Sequence, residues 1–226
     1  MKQVLLVTAT KAKTEEEFKK RPVCKSIRKL YDMYTSETFD FTVIKNNTEG
    51  LSTVYNKYIT DENSDKILLF VHDDLIIDTL FLVEHLNKSP YTVTGLAGTK
   101  SLNLKAEKTA WHLMADRKDF LGEVRHIKDS NVWCTTFGPT VGQVLALDGL
   151  FIAVNVEQIL TTGARFNEEF NFHHYDLAFA MECKKHNVTL GVMPINVIHY
   201  GLGDSMLTQD WEDSNKKFKE VYCKQK

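Results

Sequence analysis

The chain has 226 residues, of which 43% are hydrophobic, 11% aromatic and 26% charged. That is enough apolar material for a packed core, and it excludes a disordered chain, a collagen-like fibre and a coiled coil. Lys and Arg total 28 against 30 Asp and Glu, a net charge of -2, so no global positive field draws the protein to nucleic acid or an anionic membrane.

Val4 to Val7 is apolar on every residue, the pattern of a strand buried on both faces. The charged stretch Lys11 to Arg21 reads as a loop or short helix. Pro22 suits a first helical turn, and Val23, Ile27, Leu30, Tyr31 and Tyr34 recur at helical spacing. Phe39, Phe41 and Val43 alternate as a strand to about Ile44, and Leu51, Val54, Tyr55 and Tyr58 mark a second amphipathic helix. Ile67 to Val71 is a third apolar strand that stops at His72-Asp73-Asp74. Strand, helix, strand, helix, strand argues for βαβ units and an α/β fold with a mostly parallel sheet flanked by helices. Ligands bind such sheets at the carboxyl ends of the strands.

Beyond that point the pattern predicts a helix over Leu75 to Leu86, a turn at Gly95-Leu96-Ala97-Gly98, and strand character from Val144 to Val154 around Asp148-Gly149. A helix follows from Asp176 to His186, then an apolar strand region from Thr189 to His199 containing Pro194, and a charged tail after Lys216. Thr99 to Asn131 is poorly patterned; its seven Lys and Arg oppose five Asp and Glu, a mild basic bias. Cys24, Cys134, Cys183 and Cys223 form no CxxC and no disulfide framework. No apolar stretch reaches the ~18–20 residues of a membrane helix, and Val4 to Val7 falls short of the ~7–15 residues of a signal-peptide core. The expectation is a cytoplasmic protein with reduced, mostly buried thiols and no membrane span.

Four constellations carry candidate chemistry. In His72-Asp73-Asp74 the adjacent carboxylates repel unless a cation or hydrogen bonds compensate; a divalent ion would do so, and so would a plain acidic turn in which one Asp caps a helix. In Phe172-His173-His174-Tyr175-Asp176, the aspartate is a general base or an ordinary N-cap. His199 closes an apolar strand and becomes a metal ligand if its strand end lies beside Asp74, since imidazole plus carboxylate suits Mn²⁺ or Mg²⁺. Asp148-Gly149 is either a β-bulge or a substrate contact. Neither GxGxxG nor GxxxxGK[ST] occurs, so the dinucleotide and P-loop signatures are absent.

In order, Asn47-x-x-Gly50-Leu-Ser52, Phe70-Val-His72-Asp73-Asp74, Leu147-Asp148-Gly149-Leu-Phe151, Phe170-x-Phe-His-His-Tyr-Asp176 and Gly191-Val-x-Pro194-x-x-Val-Ile-His199 resemble the motifs of family-2-like nucleotide-sugar glycosyltransferases. The resemblance runs from Val4 to Gly203. It implies a single-domain Rossmann-like GT-A fold: residues 1–98 as the nucleotide-sugar half, 99–203 as the acceptor half and 204–226 as a tail. It also implies metal-dependent inverting transfer from a nucleotide-sugar, UDP-sugar above all, to an acceptor hydroxyl. Asp74 and His199, with Asp73, would bind Mn²⁺ or Mg²⁺. Thr8, Ala9, Thr10, Asn47, His72 and Asp73 would line the donor. Asp176 would take the acceptor proton, and Trp133, Asp148, Gly149 and His174 would border the donor sugar and acceptor. The family's acidic residue at the end of the second strand is replaced here by Asn46-Asn47, and its D-x-D by His-Asp-Asp. The acceptor stays open: a saccharide, another hydroxyl compound, or a modified base in DNA, for which the basic section offers local phosphate contacts. A non-catalytic nucleotide-sugar-binding module and a nucleotidyltransferase stand as alternatives.

Overall fold

The computed structural model describes residues 1–201 and 208–224. The boundary expected at 203/204 lies outside them. The first three strands, β1 (Gln3–Ala9), β2 (Phe39–Ile44) and β3 (Lys66–Val71), pair in parallel in the order β2-β1-β3. All but the end residues of β1 are buried, as its unbroken apolar run requires. Between β1 and β2 come α1 (Glu15–Phe18) and α2 (Pro22–Met33). Thr14 caps α1 by accepting from the Glu17 amide at 3.2 Å, and three glutamates occupy its first turn, where the helix dipole favours them. Pro22 opens α2, and its Val23, Ile27 and Leu30 are buried; Tyr31 instead lies 54% exposed. α3 (Leu51–Asn56) connects β2 to β3.

From here the sheet departs from the mostly parallel expectation. After β3 come β4 (Leu75–Ile77), α4 (Leu82–Asn87), β5 (Val93–Gly95), β6 (Ala97–Thr99), β7 (Phe120–Lys128), β8 (Asn131–Thr136), β9 (Gly142–Val144), β10 (Ala146–Leu147) and β11 (Phe151–Asn155). The chain ends with α5 (Val156–Thr162), α6 (Tyr175–Lys185), β12 (Leu190–Val192), β13 (Val197–His199) and α7 (Gln209–Phe218). A seven-stranded sheet runs β2-β1-β3-β11-β5-β12-β9, and a six-stranded sheet contains β10-β6-β7-β13-β4 with β8 on β7. β11 is antiparallel to both β3 and β5, so both sheets are mixed.

Several expectations are corrected. Leu75 to Ile77 is a strand rather than the start of a helix, because it pairs with β13 in the register Leu75↔His199; the helix is only α4, opened by Phe81 in the left-handed region at φ 59°. Gly95 to Gly98 belongs to two strands rather than a turn. Pro194 divides the last apolar region, so that β12 joins one sheet and β13 the other. The unpatterned middle leaves β6 at Thr99, runs through loop and turns to Asp119 and then enters β7; the β7–β8 hairpin is closed by Asp129 and Ser130 with φ of 48° and 68°, the two-residue geometry that follows the twist of paired strands. Cys24 and Cys183 are buried, but Cys134 is exposed and Cys223 intermediate, so burial holds for two of the four free thiols.

The described C-terminal residues are more than a charged tail. α7 buries Trp211, Asn215 and Phe218 against the core. Asn215 accepts from both the amide and the hydroxyl of Thr109, at 2.8 and 2.6 Å. Phe218 is fully buried, so Phe218→Ala is expected to cost about 3–5 kcal/mol, read as a fall in the urea midpoint. Lys217→Ala on the same helix should stay within about 0.5 kcal/mol.

Candidate functional site

The carboxyl ends of β1, β2 and β3 open onto a cleft of about 920 Å³. Its walls are the β1–α1 loop with Ala9, Thr10, Lys11 and Lys13, the Asn46–Leu51 turn, the His72-Asp73-Asp74 segment, Arg21, and the Asn171–Phe172 loop. Local hydrogen bonds shape these walls. Thr10 donates its amide to Ile44 O, and Asn47 donates its own to Thr10 O, both at 2.9 Å, tying the ends of β1 and β2 together. The Asn47 side chain closes on its own turn, donating to Glu49 O at 2.8 Å and accepting from Glu49 N at 3.3 Å. Thr8, expected among the donor contacts, is fully buried inside β1 and is not part of the cleft wall.

The two adjacent aspartates have separate fates. Asp73 accepts from the Arg21 guanidinium at 2.6 Å and from the Thr10 hydroxyl, so each of its oxygens is engaged. Arg21, in turn, is held above its ordinary pKa by the Asp73 hydrogen bond. Asp74 sits instead beside His199, with Oδ2 3.4 Å from Nε2. The β4–β13 register sets this: Leu75 lies opposite His199, and the Tyr200 amide donates to Asp74 O at 2.9 Å. Burial works to raise the Asp74 pKa, but the His199 hydrogen bond and the neighbouring imidazoles outweigh it, and the carboxyl titrates below its ordinary range. Asp74 Oδ1 is buried with no partner among the described residues. Gly201 leaves the space next to the pair free, since a Cβ there would stand 2.8 Å from His199 Nε2 and 3.0 Å from Asp74 Oδ2.

His72 lines the cleft between β3 and the Phe172 ring, which stacks on it at 5.9 Å and 23°. Burial lowers its pKa. Its Nε2 lies 2.9 Å from the Tyr175 hydroxyl, which donates to Gly149 O at 2.6 Å.

Asp176 stands in the first turn of α6, with Oδ1 accepting from the Leu177 amide at 2.8 Å. Burial, and after it the charge of Asp148, pushes its pKa up to about 7. Asp148 is fixed by the Trp111 indole N–H at 3.0 Å and the Leu150 amide at 3.0 Å, in the connection between β10 and β11. His174, expected at the acceptor, faces α7. Its Nδ1 bonds to the Ser214 hydroxyl at 2.9 Å, its ring lies 5.0 Å from Trp211, and burial drives its pKa down to about 4. Trp133 approaches the site at one remove. It stacks on His126 at 5.3 Å and 15°, and His126 meets His199 edge-on at 5.5 Å, the three aligned across β8, β7 and β13.

Sequence reasoning missed Arg21, Trp111 and His126. Arg21 could have been suspected, because two neighbouring carboxylates demand a cation; nothing local signals the other two.

With the site in place, comparison with known proteins defines the class. A family model described as "Glycosyltransferase like family" matches residues 10–222, and the chain belongs to that family. Among solved structures, the crystal structure of A197 from STIV aligns with a TM-score of 0.51 and 13% identity, covering 88% of this chain and 86% of that one, a likeness of fold. No curated protein matches. No helix among the described residues is long and apolar enough to cross a membrane.

Arg21→Ala removes the cation from a carboxylate whose side chain is only 15% exposed. The expected loss is about 1–3 kcal/mol of unfolding free energy, as for a buried acceptor stripped of its partner, with partial recovery in Arg21→Lys; urea unfolding measures both.

Proposed function

We propose that this member of the glycosyltransferase family moves a sugar from a nucleoside-diphosphate sugar, UDP-sugar being the first to test, to an acceptor hydroxyl with inversion at the anomeric carbon. The observation that carries this reading is the pairing of Asp74 and His199, 3.4 Å apart, beside the cleft at the carboxyl end of β3. A cleft of about 920 Å³ is within the range of ~300–1,000 Å³ of small-molecule sites.

The donor set fits a divalent cation. Asp74 offers an unpartnered buried oxygen, His199 an imidazole, and Gly201 the room. One carboxylate and one imidazole suit Mn²⁺ or Mg²⁺ when phosphate oxygens and water complete the shell. Among the described residues no group of three or more His, Cys, Asp or Glu forms a closed cage, so the shell depends on the substrate. Asp73 is less suited than Asp74, because Arg21 and Thr10 already hold it. When bound, the cation supplies neutralisation of the charge that grows on the departing diphosphate.

Asp176 acts as the general base. A carboxyl with a pKa of about 7 is matched to proton abstraction near neutral pH. It takes the acceptor O–H proton as the acceptor oxygen bonds to the anomeric carbon; the bond from that carbon to the phosphate oxygen breaks, and the nucleoside diphosphate leaves. Burial keeps Asp176 basic, and the charge of Asp148, held by Trp111 and Leu150, adds to it.

Asp176→Asn is expected to cut turnover by ~10²–10⁴-fold while leaving UDP binding within about twofold, measured as UDP release and by calorimetry with Mn²⁺. Asp74→Asn and His199→Ala should abolish the Mn²⁺-dependent part of that binding. Retained metal-dependent binding in both would sink the reading. A second check is the pH profile of kcat/KM. The base works only when deprotonated, so kcat/KM should rise through pH of about 7. In Asp148→Asn, which removes the raising charge, the rise should move to lower pH.

A further inference from the structure

We propose that Tyr175 is a positioning residue that locks His72 in its Nε2–H tautomer, so that the ring presents an accepting Nδ1 to the cleft and selects a ligand carrying a hydroxyl or N–H at that point. The lock stands on geometry alone; its consequence for the ligand rests on the nucleotide-sugar reading.

A carbonyl oxygen only accepts hydrogen bonds, and a phenol has a single proton. The Tyr175 hydroxyl lies 2.6 Å from Gly149 O, so its proton goes there. Its oxygen can then only accept from His72 Nε2, 2.9 Å away. The arrangement has little freedom. Tyr175 is 3% exposed at the start of α6, and a Cβ on Gly149 would come within 2.5 Å of its hydroxyl. Phe172 covers the His72 ring by stacking.

With Nε2 protonated, Nδ1 of a neutral ring carries a lone pair. Among the described residues the His72 ring is hydrogen-bonded only through Nε2. His72 belongs to the cleft wall with Asp73 and Asp74. On the neutral ring this edge is an acceptor beside two carboxylates. A ribose hydroxyl, a sugar hydroxyl or a base N–H satisfies it; a phosphate oxygen, having no proton, does not.

The test is a long-range ¹⁵N–¹H correlation spectrum of imidazole-labelled protein at pH 8, with His72 assigned through His72→Asn. The wild type should show the Nε2–H pattern alone, and Tyr175→Phe, if folded by its melting curve, a mixture of tautomers. A wild-type Nδ1–H or mixed pattern overturns the lock, whether or not the variant folds, and so does an unchanged pattern in folded Tyr175→Phe. Titration with UDP or GDP plus Mn²⁺ at pH 8 reads the ligand half. His72→Leu should weaken binding about tenfold, the scale of one hydrogen bond, and His72→Asn, which keeps an acceptor, by less. Equal affinity in wild type and His72→Leu overturns the selection while leaving the lock intact. If wild type binds neither nucleotide, the ligand half falls with the nucleotide-sugar reading, and the spectrum still decides the lock.

Discussion

Two like charges at the end of a buried strand are the constraint around which the rest of the cleft is arranged. β3 delivers Asp73 and Asp74 together, and neither can stay ionised there without a partner. The fold solves this by dividing them. Arg21, just before α2, takes Asp73 from one side, while His199, at the end of β13, meets Asp74 from the other. One carboxylate thereby fastens a helix start to the sheet, and the other keeps an oxygen uncommitted. Because the two partners come from segments 178 residues apart, from Arg21 to His199, the pair forms only when both sheets are assembled.

The same economy separates the second pair of acids. Asp148 is held in a polar setting of indole and amide N–H groups, whereas the pKa of Asp176 is raised by burial and, after it, by the charge of Asp148. The four carboxylates therefore have four environments: ion-paired, imidazole-paired, amide-held, and buried with a pKa pushed up to about 7. Environment rather than residue type sets these differences among the four acids.

The parts of this design legible in the sequence are those with strong periodicity. β1, β2, β3 and the helices between them announce themselves by unbroken or helically spaced apolar runs, and the His72-Asp73-Asp74 tip follows from where β3 stops. The Asp74–His199 proximity was expected from family motifs, but its cause was not. It depends on β4, which reads as a helix because Leu75 to Leu86 is rich in apolar residues at mixed spacing. β8 gave no signal because nearly all its residues are exposed, and a strand wet on both faces has no apolar alternation to detect. Its turn, Asp129-Ser130, lacks the Asn-Gly or Asp-Gly pair that usually marks such a hairpin. The contact of His174 with α7 was not legible for a related reason: a residue facing a distant C-terminal helix carries no local mark of that contact.

α7 rests on the segment that carries Asp176. Ser214 bridges His174 Nδ1 and the His173 carbonyl, and Trp211 and Phe218 flank the His174 ring two positions before the aspartate. His174 itself is in the left-handed region at φ 60°, a conformation that needs outside support. α7 is thus a brace on the start of α6. Loss of the α7 contacts, as in Phe218→Ala, therefore acts on the start of α6 and on the turn that holds Asp176.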